Sequence, residues 1–233
     1  MSLIAIVFAA VMVLATASYP DITVTYFDFP GRAEPARLAL YIAGIPFIDQ
    51  RLKSEEWVAV KPTTPFGQLP LMTIDGELYS QSKAILRYAG CLGGLYPTDP
   101  LQALSVDMAL DKLLDIVDTL RPSMSENDPA TKLALRRALV DDVLPEHLHQ
   151  LDLFICKRNP NYAVGDSLTI ADLTIFNFVN WLGTLDGIPT DFNQFMNISK
   201  VYDSVSTHPR VQDWYNKNPS QNWFKNNNSA IVA

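Results

Sequence analysis

Apolar positions in the first part of the chain alternate between strand-like and helix-like spacing. Ile22 to Phe27 is rich in β-branched and aromatic residues, which predicts a strand. Apolar residues then recur at helical spacing over residues 32–43, and Gly44 is typical of the position after a helix end, so a helix is predicted there. The pattern continues with a strand over residues 45–52, a short helix over 55–60, a strand over 69–74 and a helix from residue 80 or 81 to about 91.

Asp75-Gly76 is the clearest turn signal in this region. An Asp-Gly pair favours a two-residue hairpin because both residues tolerate a positive φ angle, so an antiparallel fourth strand is expected to begin at Leu78-Tyr79. A β-α-β unit followed by a hairpin and a helix predicts an α/β domain with a mixed four-stranded sheet.

From residue 100 onward the chain shows only helical spacing. Long helical patterns cover residues 101–120 and 130–157, and glycines and prolines between residues 93 and 100 mark the boundary. Thr169 and Asp172 form a capping-box pattern in front of a nearly all-apolar helix. The chain is therefore divided into an α/β domain over residues 19–96, an all-α domain over 100–220 and a polar tail over 221–233.

Residues 1–18 have the composition of a leader. The stretch carries no charged side chain, a 13-residue apolar run extends from Leu3 to Ala15, and Ala15-Thr16-Ala17 matches a small-residue cleavage site. The run is short for a membrane span and no Lys or Arg precedes it. Two interpretations stay open: a signal peptide, or an unusual leader on a cytosolic protein. The glycosylation triplets at Asn197 and Asn227 would matter only in the secretory pathway.

The overall composition is that of a folded acidic protein. Of the 233 residues, 48% are hydrophobic and 18% charged, and the net charge of −7 argues against a nucleic-acid-binding function because the basic residues form no stripe. No metal site is indicated, since His147 and His149 would point in different directions from a helix. Cys91 and Cys156 are isolated, and both are predicted to be buried as small hydrophobic residues.

Two stretches of the α/β domain combine aromatic and charged residues at places where ligands bind. Tyr26 lies at the carboxyl end of the first strand, where open α/β sheets bind ligands, and the next loop leads to a helix N-terminus that favours an anion. By position alone, a core aromatic is the more common role for such a tyrosine. Trp57 and Lys61 lie four residues apart on the short helix, which by itself indicates only an amphipathic surface pair.

Two further stretches contain a proline and a polar helix start. A cis bond between Leu69 and Pro70 would turn the Leu69 backbone outward to pair with a peptide-like ligand, and the alternative is an ordinary trans turn. Ser80, Gln81 and Ser82 cluster at a helix N-terminus, which is either a carboxylate-binding site or a helix cap.

The order and spacing of these stretches resemble those of the cytosolic glutathione transferases. The motifs that carry the resemblance are TYFxxxGRAE, FGQLP and LYSQSKAILRYAG in the α/β domain and the element from Val164 to Asp172 in the helical domain. The resemblance covers about residues 21 to 218 and is nearest to the sigma-like tyrosine classes. It implies a thioredoxin-like N-terminal domain, an all-helical C-terminal domain, and an enzyme that joins glutathione to hydrophobic electrophiles.

The resemblance also implies a role for each matching position. Tyr26 would donate a hydrogen bond to the glutathione sulfur, and Arg32 would support the thiolate electrostatically. The glutathione-binding positions would be Trp57, Lys61, Gln68, Leu69, Pro70, Gln81, Ser82 and, across a dimer interface, Asp115. The positions lining the hydrophobic pocket would be Phe27, Phe29, Val117 and Leu120. Glutathione would be a co-substrate with no prosthetic cofactor, and the protein would be a homodimer and, by family practice, cytosolic.

Alternatives remain for one residue and for the function. Asp107, Asp111 and Asp115 repeat every four residues, so Asp115 is alternatively part of a solvated acidic stripe. A non-catalytic carrier or crystallin-like protein, or a glutathione-dependent isomerase, would use the same fold as a conjugating enzyme. Arg121-Pro122 stands where some sigma-like members carry a tryptophan, which argues against a prostaglandin isomerase. Peroxidase activity toward organic hydroperoxides is a second expected reaction of the enzyme.

Overall fold

The computed structural model describes residues 19–156, 161–188 and 192–221. The predicted leader, the triplet at Asn227 and all but the first residue of the predicted tail lie outside these ranges. Within them, no helix has the length and apolar character needed to cross a membrane.

The α/β domain is built on a mixed sheet. Strand β1 (Ile22–Phe27) pairs in parallel with β2 (Ile48–Leu52) and antiparallel with β3 (Leu71–Ile74). Strand β3 also pairs antiparallel with β4 (Glu77–Ser80), so the order across the four-stranded sheet is β2-β1-β3-β4. The parallel β1–β2 pair and the β3–β4 hairpin confirm the thioredoxin-like mixed sheet that was predicted.

The hairpin between β3 and β4 has the predicted two-residue turn. Ile74 pairs with Glu77, and the two residues between them have positive φ angles of 49° at Asp75 and 87° at Gly76. This is the type I′ pattern that matches the twist of the flanking strands. The strand β2 starts three residues later than predicted, because residues 45–47 form the connection after the first helix.

Nine α-helices occur among the described residues. Three of them belong to the α/β domain: α1 (Glu34–Ile42), α2 (Ser54–Val60) and α3 (Ser82–Gly93). The helical domain contains α4 (Pro100–Ser125), α5 (Pro129–Ala138), α6 (Leu144–Cys156), α7 (Ile170–Leu182), α8 (Met196–Ser206) and α9 (Pro209–Lys217). Short 3-10 turns cover Gly31–Ala33, Lys61–Thr63 and Pro219–Gln221.

Two helical predictions differ from the structure in their bounds. The helix predicted over 130–157 is interrupted by a π turn at Leu139–Val143, which divides it into α5 and α6. The first long helix continues through Pro122 to Ser125, beyond its predicted end at residue 120. The Ser123 hydroxyl donates to the Leu120 carbonyl at 2.8 Å, which satisfies an acceptor near the proline.

Helix α7 is the central element of the core. It packs against α1 of the first domain and against α4 and α8 of the second, and ten of its residues are buried. The predicted capping box at its start is confirmed: the Asp172 carboxylate accepts hydrogen bonds from the Thr169 backbone N–H and hydroxyl, both at 2.7 Å. It also accepts from the Ala163 N–H at 2.7 Å, which ties the preceding loop to the helix.

Two side chains differ from their predicted environments. Cys91 is exposed on α3 and is not the buried hydrophobic residue that was predicted, because the described residues that pack on α3 leave this side chain uncovered. The side chain of Cys156 lies outside the described part of the structure. Asn197 is only 9% exposed, and its amide donates to the Asp152 carboxylate at 2.8 Å, so its triplet is not a free surface acceptor for a glycan.

Candidate active site

Tyr26 lies at the carboxyl end of β1, with its ring packed among aromatic side chains. Its centroid is 5.7 Å from that of Phe27 and 5.3 Å from that of Phe29, both in edge-on geometry. Gly31 has a φ angle of 49°, and a Cβ atom added there would lie 2.8 Å from the Tyr26 hydroxyl oxygen. A residue without a side chain is therefore required where the loop crosses the phenol.

Two opposing effects act on the pKa of the Tyr26 hydroxyl. Burial raises the pKa of Tyr26, while a hydrogen bond from the Arg32 backbone N–H and the charges of Arg32 and Arg37 partly offset that rise. The phenol thus stays protonated at neutral pH and keeps a proton to donate. The protonated hydroxyl can therefore donate its hydrogen to an acceptor placed beside it.

The loop after β1 is held from both domains. Arg32 is exposed in the 3-10 turn that leads into α1. Asn177, on α7 of the helical domain, donates its amide to the Gly31 carbonyl at 3.1 Å. Sequence reasoning did not identify Asn177, because nothing local shows that its side chain reaches a loop 146 residues earlier.

Arg37 is a second residue that sequence reasoning missed. Its side chain is completely buried, and it forms ion pairs with Glu34 at 3.3 Å and with Asp49 at 2.8 Å. The same guanidinium donates to the carbonyls of Phe29 and Pro30 and lies 5.8 Å from the centroid of the Tyr26 ring. The available signal was a Glu and an Arg three residues apart inside an otherwise apolar helix.

The predicted glycine-end residues lie beside this aromatic group. The Trp57 ring on α2 is 6.3 Å from that of Phe27, in edge-on geometry. The Lys61 side chain extends along Gly67, since a Cβ atom added to that glycine would be 3.6 Å from Lys61 Cε. The three predicted residues after Gly67 differ in burial: Gln68 is exposed, Leu69 is half-buried and Pro70 is buried. The peptide bond between Leu69 and Pro70 is cis.

Gln81 has the most unusual backbone among the predicted site residues. Its φ angle is 77° and its ψ angle 108°, although it is not a glycine. A conformation of this kind costs about 1–3 kcal/mol and is found mainly at functional sites. It lies at the N-terminal end of α3, next to the half-buried Ser82, where unpaired helix N–H groups attract an anion.

The predicted hydrophobic-pocket residues are only partly brought together. Phe29 is 41% exposed and stacks on Phe27 at 5.8 Å between centroids. These two rings border a shallow cleft of about 500 Å³ whose other wall runs from Leu52 to Glu55. Val117 is half-buried on α4, whereas Leu120 is 0% exposed and belongs to the core, so the expectation that Leu120 faces a substrate is wrong. The α4 helix turns that side chain toward the core.

The remaining predicted residue, Asp115, is exposed on α4. Its charge acts on His147 of α6, whose pKa is lowered by burial and by Lys112 and raised in part by Asp115. No group of acidic, histidine or cysteine side chains able to hold a metal ion occurs in the part of the chain that the structure describes.

A thioredoxin-like sheet with a tyrosine at the end of β1, a cis-proline before β3 and a helical second domain defines the class of two-domain glutathione-binding proteins. Residues 22–90 match the family model described as "Glutathione S-transferase, N-terminal domain". Residues 114–218 match that described as "Glutathione S-transferase, C-terminal domain". The chain belongs to the glutathione S-transferase family.

Individual relatives agree with this family. Glutathione S-transferase 1 of Ascaris suum is 36% identical over 86% of this chain and 98% of its own length. The solved structure of prostaglandin synthase D of Nilaparvata lugens is 30% identical, with a TM-score of 0.78 over 86% of this chain and 99% of its own. A glutathione S-transferase of Necator americanus described as monomeric is 28% identical, with a TM-score of 0.73 over 85% and 98%.

Proposed function

We propose that the protein is a glutathione transferase that joins the thiolate of glutathione to hydrophobic electrophiles. The observation that carries the proposal is the Tyr26 phenol at the carboxyl end of β1, whose pKa is raised by burial so that it keeps a proton to donate. It lies next to the loop that carries Phe29 and Arg32, two further positions implied by the family resemblance. No prosthetic group enters the scheme, and glutathione is consumed as a co-substrate.

The energy required for thiol activation is within the reach of these groups. A thiol with a pKa of ~8.5 is roughly 3% ionised at pH 7, and one lowered to ~6.5 is roughly 75% ionised. That shift corresponds to about 2.7 kcal/mol. A hydrogen bond to a charged group contributes ~1.5–3 kcal/mol and a helix N-terminus ~0.3–1 kcal/mol. The Tyr26 hydroxyl and the start of the following helix are therefore sufficient, and the thiolate sulfur then displaces the leaving group of the electrophile.

Binding of the tripeptide follows from the same surface. Lys61 beside Trp57 would hold the glycine carboxylate as a cation. The Leu69 backbone would pair with the cysteinyl unit, as a strand pairs with an extended peptide. Gln81 and Ser82 would hold the γ-glutamyl carboxylate at the α3 N-terminus. The cleft beside Phe27 and Phe29 would accept the electrophile's apolar part.

The test compares the variant Tyr26→Phe with a control variant, Tyr79→Phe, which changes an exposed tyrosine on β4. Purified protein should be retained on immobilised glutathione and should conjugate 1-chloro-2,4-dinitrobenzene. Tyr26→Phe should raise the pH midpoint for ionisation of the bound thiol, lower the conjugation rate at least tenfold and leave glutathione affinity nearly unchanged. Normal conjugation by Tyr26→Phe would exclude this mechanism, and failure to bind glutathione would favour the carrier alternative.

The homodimer is part of the proposal, and an exposed apolar stripe on α4 supports it. Leu101 is 73% exposed, Leu104 57% and Met108 49%, at the spacing of one helix face. Asp115 lies seven residues after Met108, on the same face, where it would reach the glutathione of a partner subunit. Light scattering should give a dimer mass that Met108→Glu halves. If the unmodified protein had a monomeric mass, like the Necator americanus relative described as monomeric, Asp115 could not belong to the site.

An isomerase is the second candidate, because the Nilaparvata relative is described as a prostaglandin synthase. Assays with a prostaglandin endoperoxide and with cumene hydroperoxide would separate isomerase and peroxidase activities from conjugation.

For the cellular compartment, we propose that residues 1–18 decide whether the protein enters the secretory pathway or stays in the cytosol. N-terminal sequencing of the mature protein shows which applies.

A further inference from the structure

A cleft outside the glutathione site lies between the end of α1 and helix α9. Its volume is about 330 Å³, and its walls include Tyr41, Phe47, Asp49, Arg210 and Trp214. None of the residues predicted to bind glutathione or the electrophile borders it. The volume is at the lower end of the ~300–1,000 Å³ range of small-molecule sites.

Three aromatic rings of the cleft are held in fixed positions. The Trp214 centroid is 5.0 Å from that of Tyr41 and 6.0 Å from that of Phe47. The Trp214 indole N–H donates to the buried Glu34 carboxylate at 2.8 Å, which fixes the indole. Rings that are already ordered lose little side-chain entropy when a flat apolar ligand packs against them.

Arg210 supplies a cation at the rim of the same cleft. Its guanidinium carbon lies 4.9 Å from the centroid of the Tyr41 ring, and one Nη2–H donates to the Tyr41 carbonyl at 2.7 Å. A guanidinium has five N–H donors, and this bond uses one of them. Within the described ranges Arg210 forms no salt bridge, although its charge contributes to lowering the pKa of Asp213, and its remaining N–H groups can donate to an external anion.

The acidic groups around the cleft are already paired with cations. Asp49 pairs with Arg37 at 2.8 Å and with Arg51 at 2.6 Å. Asp213 accepts from Lys217 at 2.8 Å and also from the Tyr41 hydroxyl. Among the residues that line the cleft Arg210 is the cation, and its charge favours an anion there.

We propose that this cleft is a second small-molecule site, which binds a planar aromatic anion with its ring against the half-buried Tyr41 and Phe47 and its anionic group on Arg210. A guanidinium suits this task because its fork donates two parallel hydrogen bonds to a carboxylate. The ligand class is thus an aromatic carboxylate of one or two fused rings. The site is separate from the glutathione site and does not depend on the proposed catalysis.

The experiment is a calorimetric titration of the full chain with 2-naphthoate, with and without saturating S-hexylglutathione. One naphthoate per chain should bind with a Kd at or below about 1 mM in both conditions. Arg210→Gln should weaken this binding at least tenfold, whereas Arg137→Gln, at an exposed arginine of α5, should leave it unchanged. The uncharged 2-naphthamide should bind the unmodified protein at least fivefold more weakly than 2-naphthoate.

Arg210→Lys keeps the charge but lacks the two-donor fork, and it serves as the second variant: it should bind more weakly than the unmodified protein and more tightly than Arg210→Gln. Thermal unfolding of each variant shows that it is folded. The proposal is overturned by an absence of binding up to 10 mM naphthoate, by binding that S-hexylglutathione abolishes, or by equal affinities for the unmodified protein and Arg210→Gln. Equal affinities for the acid and the amide would overturn it as well, even if Arg210→Gln failed to fold.

Discussion

Replacement of Arg37 by methionine should destabilise the protein far more than the loss of one surface charge. Methionine has a similar length but no charge, so the ion pairs with Glu34 and Asp49 are lost. Glu34 is 0% exposed. Its carboxylate would keep the hydrogen bond from the Trp214 indole N–H, but no cation would balance its buried charge. The carbonyls of the loop after β1 also lose their donor.

The magnitude follows from the burial of the pair. Removing one partner of a buried ion pair costs about 3–5 kcal/mol, a large part of the about 5–15 kcal/mol that stabilises a typical domain. Arg121→Met is the matched control, because Arg121 pairs with Asp118 at the same i, i+3 spacing while the two side chains are 57% and 50% exposed. Its expected cost is at most about 1 kcal/mol.

Urea unfolding at one fixed protein concentration measures both variants, so that any dimerisation contributes equally. The double variant Glu34→Gln/Arg37→Met removes the stranded carboxylate and should recover at least about 1 kcal/mol relative to Arg37→Met. That double variant should still conjugate slowly, because the loop beside Tyr26 has lost its anchor. If Arg37→Met cost no more than Arg121→Met, the buried pair would not stabilise this loop and the reasoning would be refuted.

Three further predictions concern local features of the fold. Asp172→Ala should cost about 3 kcal/mol in urea unfolding, because it strands buried donors at the start of α7, whereas Asp128→Ala at the exposed start of α5 should cost about 1 kcal/mol. Gly31→Ala should lower kcat/KM at least tenfold, since its Cβ would meet the Tyr26 phenol to which we assign thiol activation, while Gly76→Ala, which has nothing within 4 Å, should leave kcat/KM unchanged. Asn197 should carry no glycan in folded protein secreted from yeast, because its amide is bonded within the core, and mass spectrometry after endoglycosidase treatment checks this. A glycan on folded protein at that position would contradict the burial.

Features that depend on neighbouring residues in the chain were predictable from the sequence. The Asp75-Gly76 turn follows from the φ angles that these two residues tolerate, and the Thr169–Asp172 cap follows from hydrogen bonds within one helical turn. The site proposed around Tyr26 rests on a different kind of sequence evidence. Its residues occur in ordered motifs that resemble a known family, and the position of the tyrosine alone favoured a core role.

Only the tertiary structure decided which side chains are covered by elements far away in the chain. Cys91 is exposed and Leu120 buried because burial depends on the neighbours that pack on each helix face. Arg37 stabilises the loop after β1 because β2 brings Asp49 next to α1. The cleft under Arg210 forms where α9 packs against α1, about 170 residues apart in the chain. Spacing along the chain determines local geometry, whereas long-range packing determines which charges lose their contact with water.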